Sequence, residues 1–440
     1  MLETAATDTA FRGLTLNGLS VEGVNQCVHC GLCLSYCPTY SELGTEMDSP
    51  RGRIFLIKSL AEQRIALTDS VVNHLGLCLD CRACETACPS GVPYGRLIEV
   101  ARAEIERQRP GSRLRQAFRR VNLELLLANP AALSLLTNLL RFYQRSGLQS
   151  LVRGSGMLGL FPQMLGEWER LLPKLPDTHE GPLPELTPAQ GEKRARVGLL
   201  AGCVQQAVFG SHNHATARLL ARNGAEVVTP GAQRCCGALH AHAGARARAV
   251  ALARQTIDCF EGARVDAVIA NTSGCGAHMK GYAHLLQDDP DYAERAERFS
   301  KRVQDIAEFL GREPLRGVLG RVEMRVTYHD PCHVVHGQKI RTEPRRLLRA
   351  IPGITVTELH EADWCCGSAG IYNLTQPEMA ERLLRRKVAN LEATGAEAVV
   401  TANPGCIIQI LHGLEMRGGK MRVYHLVEIL DLAYRQGERA

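Results

Sequence analysis

Two short runs of cysteine carry the clearest chemistry in this 440-residue chain: Cys27, Cys30, Cys33 and Cys37 followed by Pro38, and Cys78, Cys81, Cys84 and Cys88 followed by Pro89. Both follow the spacing C-x2-C-x2-C-x3-C-P. Three thiolates this close on one loop reach three corners of an iron-sulfur cube, while a fourth that precedes a proline is directed to another cluster. The spacing therefore predicts two cross-ligated 4Fe-4S clusters, one on Cys27, Cys30, Cys33 and Cys88 and the other on Cys78, Cys81, Cys84 and Cys37. Zinc is the competing reading, because four thiolates also satisfy it. Zinc sites come as two C-x2-C pairs, however, not as triplets closed by Cys-Pro, and iron-sulfur is favoured. Gly31 beside Cys30 permits close backbone approach. Arg82 beside Cys81 is expected in solvent.

The elements that must position these runs are helical. Pro50-Arg51-Gly52-Arg53 opens a pattern continued by Ile54, Leu56, Ile57 and Leu60, and a second helix is expected over 69–75. Helices between the runs predict an α-helical ferredoxin domain over residues 1–110. Residues 111–190 read as a helical and Pro-rich linker. Its leucines 133, 135, 136, 139 and 140 recur at helical spacing; a partner subunit or a bilayer surface is one reading of them, and packing against the chain's own domains is the favoured one. Pro173, Pro176, Pro182, Pro184 and Pro188 mark an extended stretch. Gly154, Gly156 and Gly159 match GxGxxG but follow no strand, so the match is taken as chance.

Beyond the linker, short apolar runs alternate with helices, which is an α/β pattern. Strands are expected at 197–200, 227–228 and 267–270, leading to Cys203, Cys235-Cys236-Gly237 and Cys275. The order then repeats, leading to Cys332, Cys365-Cys366-Gly367 and Cys406. The corresponding cysteines lie 129, 130, 130 and 131 residues apart. This predicts two duplicated α/β Cys-Cys-Gly lobes over 191–318 and 319–440. Ligands of open α/β sheets gather at the carboxyl ends of strands. Each lobe can thus assemble four thiolates, Cys203, Cys235, Cys236 and Cys275 in one and Cys332, Cys365, Cys366 and Cys406 in the other, for a further cluster or a metal. Small unliganded core cysteines are the alternative, and that role is assigned to Cys259. Nearby His240, His242, His329 and His333 are candidates to carry protons for a quinone or to complete a metal site.

Composition narrows the partners. Basic residues exceed acidic ones by only 52 to 46 and aromatic residues are 5%, with no basic run interleaved with stacking rings, which argues against nucleic acid. Seventeen cysteines without a signal-peptide pattern point to a reducing cytosol and to metal or redox chemistry before disulfides. No run of about 18 apolar residues predicts a transmembrane segment. A P-loop, a dinucleotide fingerprint and a nucleophile elbow are all missing, so the chain is expected to move electrons rather than to transform an organic substrate.

Together, the two C-x2-C-x2-C-x3-C-P runs, Ser49-Pro50-Arg51-Gly52-Arg53, the two Cys-Cys-Gly segments, Thr272-Ser-Gly-Cys-Gly and Thr401-Ala-Asn-Pro-Gly-Cys406 resemble the iron-sulfur subunits of bacterial glycolate oxidase. The resemblance runs from about residue 22 to the C-terminus. It implies a complex in which FAD-binding partner subunits oxidise glycolate to glyoxylate and this chain, itself without FAD, passes electrons toward a quinone or membrane acceptor. It also implies a cytoplasmic location, peripheral on the inner face of the cell membrane. The same role in a D-lactate or glycerol-3-phosphate dehydrogenase is one alternative, and a non-enzymatic iron-sulfur redox sensor is another. The lobes resemble the Cys-Cys-Gly domains of heterodisulfide reductase, with one departure. Where the fuller pattern ends in C-x2-C, Thr272 and Asn403 replace its first cysteine, so the double cluster of that enzyme is not expected.

Overall fold

The computed structural model describes residues 15–16, 18–112, 116–117, 120–127, 129–156, 166, 169, 172, 175 and 181–438. The chain divides into two compact units, Met1–Ser112 with Ala241–Arg246, and Arg113–His240 with Ala247–Ala440.

The first unit is built from helices. A small hairpin, β1 (Thr15–Leu16) and β2 (Leu19–Ser20), precedes a 3-10 turn and the first cysteine run. Helices α1 (Pro38–Leu43), α2 (Pro50–Ala61) and α3 (Asp69–Gly76) separate the runs; α4 (Ala83–Ala87) lies within the second, and α5 (Tyr94–Gln108) follows it. Local chemistry sets the starts. Ser49 caps α2 by accepting from the Gly52 amide at 3.0 Å with Pro50 in the first turn, and Thr68 caps α3 by accepting from Val71 N. Ile57, Leu75, Leu97 and Ile98 form the core, and Cys78 and Cys84 are buried in it.

The second unit opens with a π-helical stretch, Arg120–Leu127, and then α6 (Pro130–Arg145), capped by Asn129, and α7 (Leu148–Gly154). The apolar face of α6 corrects the sequence expectation. Leu133 and Leu140 are half-buried, but Leu135 and Phe142 are 62% and 65% exposed, and Leu136 and Leu139 also face outward. Among the described residues, the chain covers one side of this helix only. Gly159, Pro173 and Pro176 lie outside the described residues.

The lobes share one architecture. In the first, β3 (Leu186–Thr187), β4 (Ala195–Leu200), β5 (Ala225–Val228), β6 (Ala267–Ala270) and β7 (Val303–Asp305) pair in the order β3-β5-β4-β6-β7, parallel except for β3. In the second, β8 (Met324–Tyr328), β9 (Ile354–Thr357), β10 (Ala398–Thr401) and β11 (Arg422–His425) pair in the order β9-β8-β10-β11, all parallel. The duplication read from the cysteine spacing is therefore also a duplication of topology. Covering helices include α8 (Cys203–Arg222), α9 (Arg246–Gly262) and α10 (Ser273–Lys280) in the first lobe, and α11 (Pro377–Ala393), α12 (Pro404–Met416) and α13 (Leu426–Gly437) in the second. β6 and β10 are buried along their whole length, as expected of parallel strands covered on both faces. Val197, Ile269, Val326 and Val400 belong to one core common to both lobes, and Arg218 of α8 pairs with buried Asp431 of α13 at 2.8 Å.

Candidate functional site

In the first unit the cysteine runs surround two adjoining cavities. One is lined by Cys27, Cys30 and Cys33 and also by Cys84 and Cys88; the other is lined by Cys37, Cys78, Cys81 and Cys84. The last cysteine of each run has thus crossed to the other run's cavity. Pro50, Cys84 and Tyr94 border both openings. All eight sulfurs are free thiols, so the donor set suits iron-sulfur chemistry. Burial pushes the Cys33 thiol up to about 11 and Cys84 also upward. Such thiols ionise when a metal cation takes the place of the proton.

The two loops use the same backbone device. The third and fifth positions of each run are left-handed: His29 (φ 56°) and Gly31 (φ 82°) in the first, Asp80 (φ 52°) and Arg82 (φ 61°) in the second. Arg82 is not in solvent, contrary to expectation. Its side chain is 17% exposed, bonds Glu99 at 3.1 Å and lies 3.6 Å from Asp80. Gly95 makes the room, since a Cβ there would stand 2.6 Å from Arg82 Nε.

Several residues around the cavities carried no sequence signal of their role. Within Ser49-Pro50-Arg51-Gly52-Arg53, Arg51 holds Glu46 through two hydrogen bonds and donates to His29 O at 3.2 Å, beside the first cavity. Arg53, 1% exposed, borders the second and donates to His74 O (2.7 Å), Thr39 Oγ1 (2.9 Å) and Asp48 Oδ1 (3.4 Å). Gly52 is obligatory, because a Cβ would meet Glu46 O at 2.0 Å. The Asp80 amide and the Tyr94 hydroxyl donate to Cys78 Sγ at 3.3 and 3.4 Å, contacts that would tune a cluster held on that sulfur.

The segment Ala241–Arg246 belongs to this unit through His242, whose Nδ1 lies 2.9 Å from Asp80 Oδ2, and through Arg102, which donates to His242 O. Burial opposes charge on His242, but Asp80 and Glu99 outweigh it and raise the imidazole to about 9. It is therefore a held charge near neutral pH rather than a proton carrier. Stability from this pair is fully present below the ordinary value of 6.5 and is lost as pH rises through about 9. The denaturant midpoint of the first unit should accordingly fall across that window, and His242→Gln should flatten the slope.

In the lobes every predicted cysteine stands just past a strand: Cys203, Cys235 with Cys236, and Cys275 after β4, β5 and β6, and Cys332, Cys365 with Cys366, and Cys406 after β8, β9 and β10. Cys203 and Cys275 follow β4 and β6, and Cys332 and Cys406 follow β8 and β10, the strand pairs that flank the topological switch point where open α/β sheets bind ligands. Cys203 and Cys235 sulfurs are 3.5 Å apart. Hydrogen bonds from Cys365 and Cys406 hold Cys366 well below the usual thiol range, and His329 also faces it. The Asn403 amide donates to Cys406 Sγ at 3.4 Å from the position where the fuller motif carries a cysteine. Cys259 is half-buried on α9, away from these strand ends.

The Cys-Cys-Gly glycines have a steric cause. Gly237 and Gly367 both have φ 88°, and a Cβ would stand 3.2 Å from Ala249 O and 2.5 Å from Ala380 O respectively. Gly367→Ala should cost about 2–6 kcal/mol from backbone strain and overpacking together. Chemical denaturation followed by circular dichroism should show it, with a smaller loss for Gly237→Ala.

Comparison with known proteins matches this geometry. A profile described as "4Fe-4S dicluster domain" covers residues 23–92, one described as "Glycolate oxidase iron-sulfur subunit, linker region" covers 114–172, and "Cysteine-rich domain" matches twice, at 197–280 and 326–411. The "Probable glycolate oxidase iron-sulfur subunit" of Bacillus subtilis (strain 168) is 42% identical over 410 residues, 92% of either chain. The chain belongs to the glycolate oxidase iron-sulfur subunit family. The Escherichia coli (strain K12) member is 36% identical over 92% of this chain and 93% of its own. More distantly, the "Lactate utilization protein A" of Oceanobacillus iheyensis is 30% identical over 55% of this chain and 98% of its own length. A 4Fe-4S dicluster region is followed by two Cys-Cys-Gly domains, and the chain is an iron-sulfur protein.

Proposed function

We propose that this chain is the electron-transfer subunit of a multi-subunit, flavin-dependent glycolate dehydrogenase, receiving electrons from FAD-binding partners and passing them toward a quinone. One 4Fe-4S cluster is assigned to Cys27, Cys30, Cys33 and Cys88 and the other to Cys78, Cys81, Cys84 and Cys37. The observation that carries this reading is the crossed lining of the two adjoining cavities, in which each run sends its last cysteine to the other's opening. Bound there, the clusters supply one-electron redox chemistry. The chain's own residues anchor them, shield them with the α2 and α5 core, and direct the Asp80 amide and Tyr94 hydroxyl at sulfur. Each Cys-Cys-Gly lobe is assigned a further cluster or metal centre built from its cysteines.

Among the described residues no single helix is long and apolar enough to cross a membrane. The outward leucines of α6 and α7, in a stretch (residues 129–156) that holds three arginines and no acid, support peripheral attachment to an anionic surface. The lactate-utilization relative favours a second substrate reading, since a lactate-oxidising complex would use the same wiring. Affinity purification of the tagged chain from its native host decides between them: a co-purifying flavoprotein that oxidises glycolate supports the first, and one specific for lactate supports the second. The chain purified alone should give negligible glycolate turnover with an artificial acceptor. Turnover typical of a complete enzyme would overturn the subunit assignment.

A further inference from the structure

We infer that the second Cys-Cys-Gly lobe binds a single zinc ion on His329, Cys366 and Cys406, rather than another iron-sulfur cube. The inference rests on the reading that the lobes bind metal and narrows it to one ion with one imidazole ligand.

The donor spacing is the first argument. One ligand atom each from His329, Cys366 and Cys406 lies within 4.8 Å of the other two. Ligands about 2.0–2.3 Å from one zinc stand roughly 3.5–3.8 Å apart in a tetrahedron. Sulfurs on a cube each bind a separate iron and stand farther apart. Among the described residues, no three of the eight N-terminal thiols come within the limit met by this trio. The ferredoxin cysteines are thus spread for clusters, whereas this trio converges on a point. Cys365, next to Cys366 in sequence, is turned to Cys332 as well as to Cys366 and stands outside this converging group.

The second argument is His329 itself. It follows β8, held by a hydrogen bond from its amide to Val400 O at 2.9 Å, and is 1% exposed. Neither ring nitrogen bonds a protein oxygen or nitrogen, and the imidazole faces the Cys366 sulfur. A buried imidazole aimed at thiols without another polar partner is the arrangement a mixed nitrogen and sulfur site requires.

Charge is the third. Thiolate charge in a buried site is costly unless it is matched. Lys387 of α11, buried at 1% exposure, lies within electrostatic reach of Cys365 and Cys366 while donating to Glu361 O. At the matching positions the first lobe has neither residue. With the 129-residue offset that relates Cys203 to Cys332, His329 falls on Leu200, and with the 130- or 131-residue offset Lys387 falls on Ile257 or Thr256. The imidazole and the ammonium occur together in the lobe where the donors converge.

The test is metal analysis of the full chain purified anaerobically with its partners. About one zinc per chain is expected beside the iron. His329→Ala should lose that zinc while iron content and low-temperature EPR stay unchanged, and His329→Cys should retain it. Cobalt(II), exchanged for the zinc, should give the thiolate charge-transfer and tetrahedral ligand-field bands of a mixed site in the wild type, and an all-sulfur spectrum in His329→Cys. Should His329→Ala fail to fold, wild-type zinc content and the two cobalt spectra decide. Absence of zinc from the wild type, or loss of about four irons on His329 substitution, overturns the inference. Those outcomes leave the N-terminal EPR signals in place, so they are distinguishable from failure of the electron-transfer reading, which would remove those signals.

Discussion

Cys88→Ser should empty the cavity lined by Cys27, Cys30 and Cys33 and leave the cavity of Cys88's own run loaded. The expected loss is about four irons per chain with one cluster's EPR signal. Cys37→Ser should do the reverse. The reason is geometric: Cys88 and Cys37 each begin the turn away from their own loop, and each faces the other run's opening. Were the clusters ligated within single runs, Cys88→Ser would instead remove the cluster built on Cys78, Cys81 and Cys84. Iron quantification with EPR on both variants separates the two schemes.

Arg53→Leu should be among the most damaging substitutions outside the cysteines, at about 3–5 kcal/mol, the range for breaking a buried charged pair by removing one partner. Its guanidinium satisfies Thr39, the His74 carbonyl and the Asp48 carboxylate at once, and Asp48 is itself buried. Leucine would take a donor from each of those groups, leaving the Asp48 carboxylate its 3.0 Å contact with His74 Nδ1, in a core that holds α1, α2 and α3 together. Loss of both clusters from the purified protein should follow, with faster proteolysis of the first unit. Arg51→Ala, two residues away, is the control. Its pair with Glu46 is largely solvated and falls in the class worth under about 1 kcal/mol, so folding should survive.

These two arginines also show what was legible in the sequence. Cysteine spacing speaks for itself, because the reach of a thiolate from a short loop is set locally, and the strand-end cysteines repeat at an interval too regular to miss. The crossing at Cys37 and Cys88 and the two α/β lobes were accessible on those grounds. Arg53, Arg82 and Lys387 were not, since a charged residue in isolation reads as surface and only partners distant in sequence bury it. The edge strands β7 and β11 are three or four residues long with polar members, Val-Gln-Asp and Arg-Val-Tyr-His, and give no apolar run to detect. The leucines of α6 failed in the opposite direction. Apolar spacing reports that a face seeks cover and not what covers it, and the chain itself leaves Leu135, Leu136 and Leu139 exposed. His329 looked no different from His333 or His240 until β8, β9 and β10 brought Cys366 and Cys406 to it.

The most direct test of the account is anaerobic addition of glycolate, without any acceptor, to the intact complex, followed by low-temperature EPR. The account predicts that signals of reduced 4Fe-4S clusters appear in the wild type, and that the signal assigned to the Cys27, Cys30 and Cys33 cavity is missing in Cys88→Ser. Clusters that stay oxidised while the partner's flavin is reduced by glycolate would contradict it.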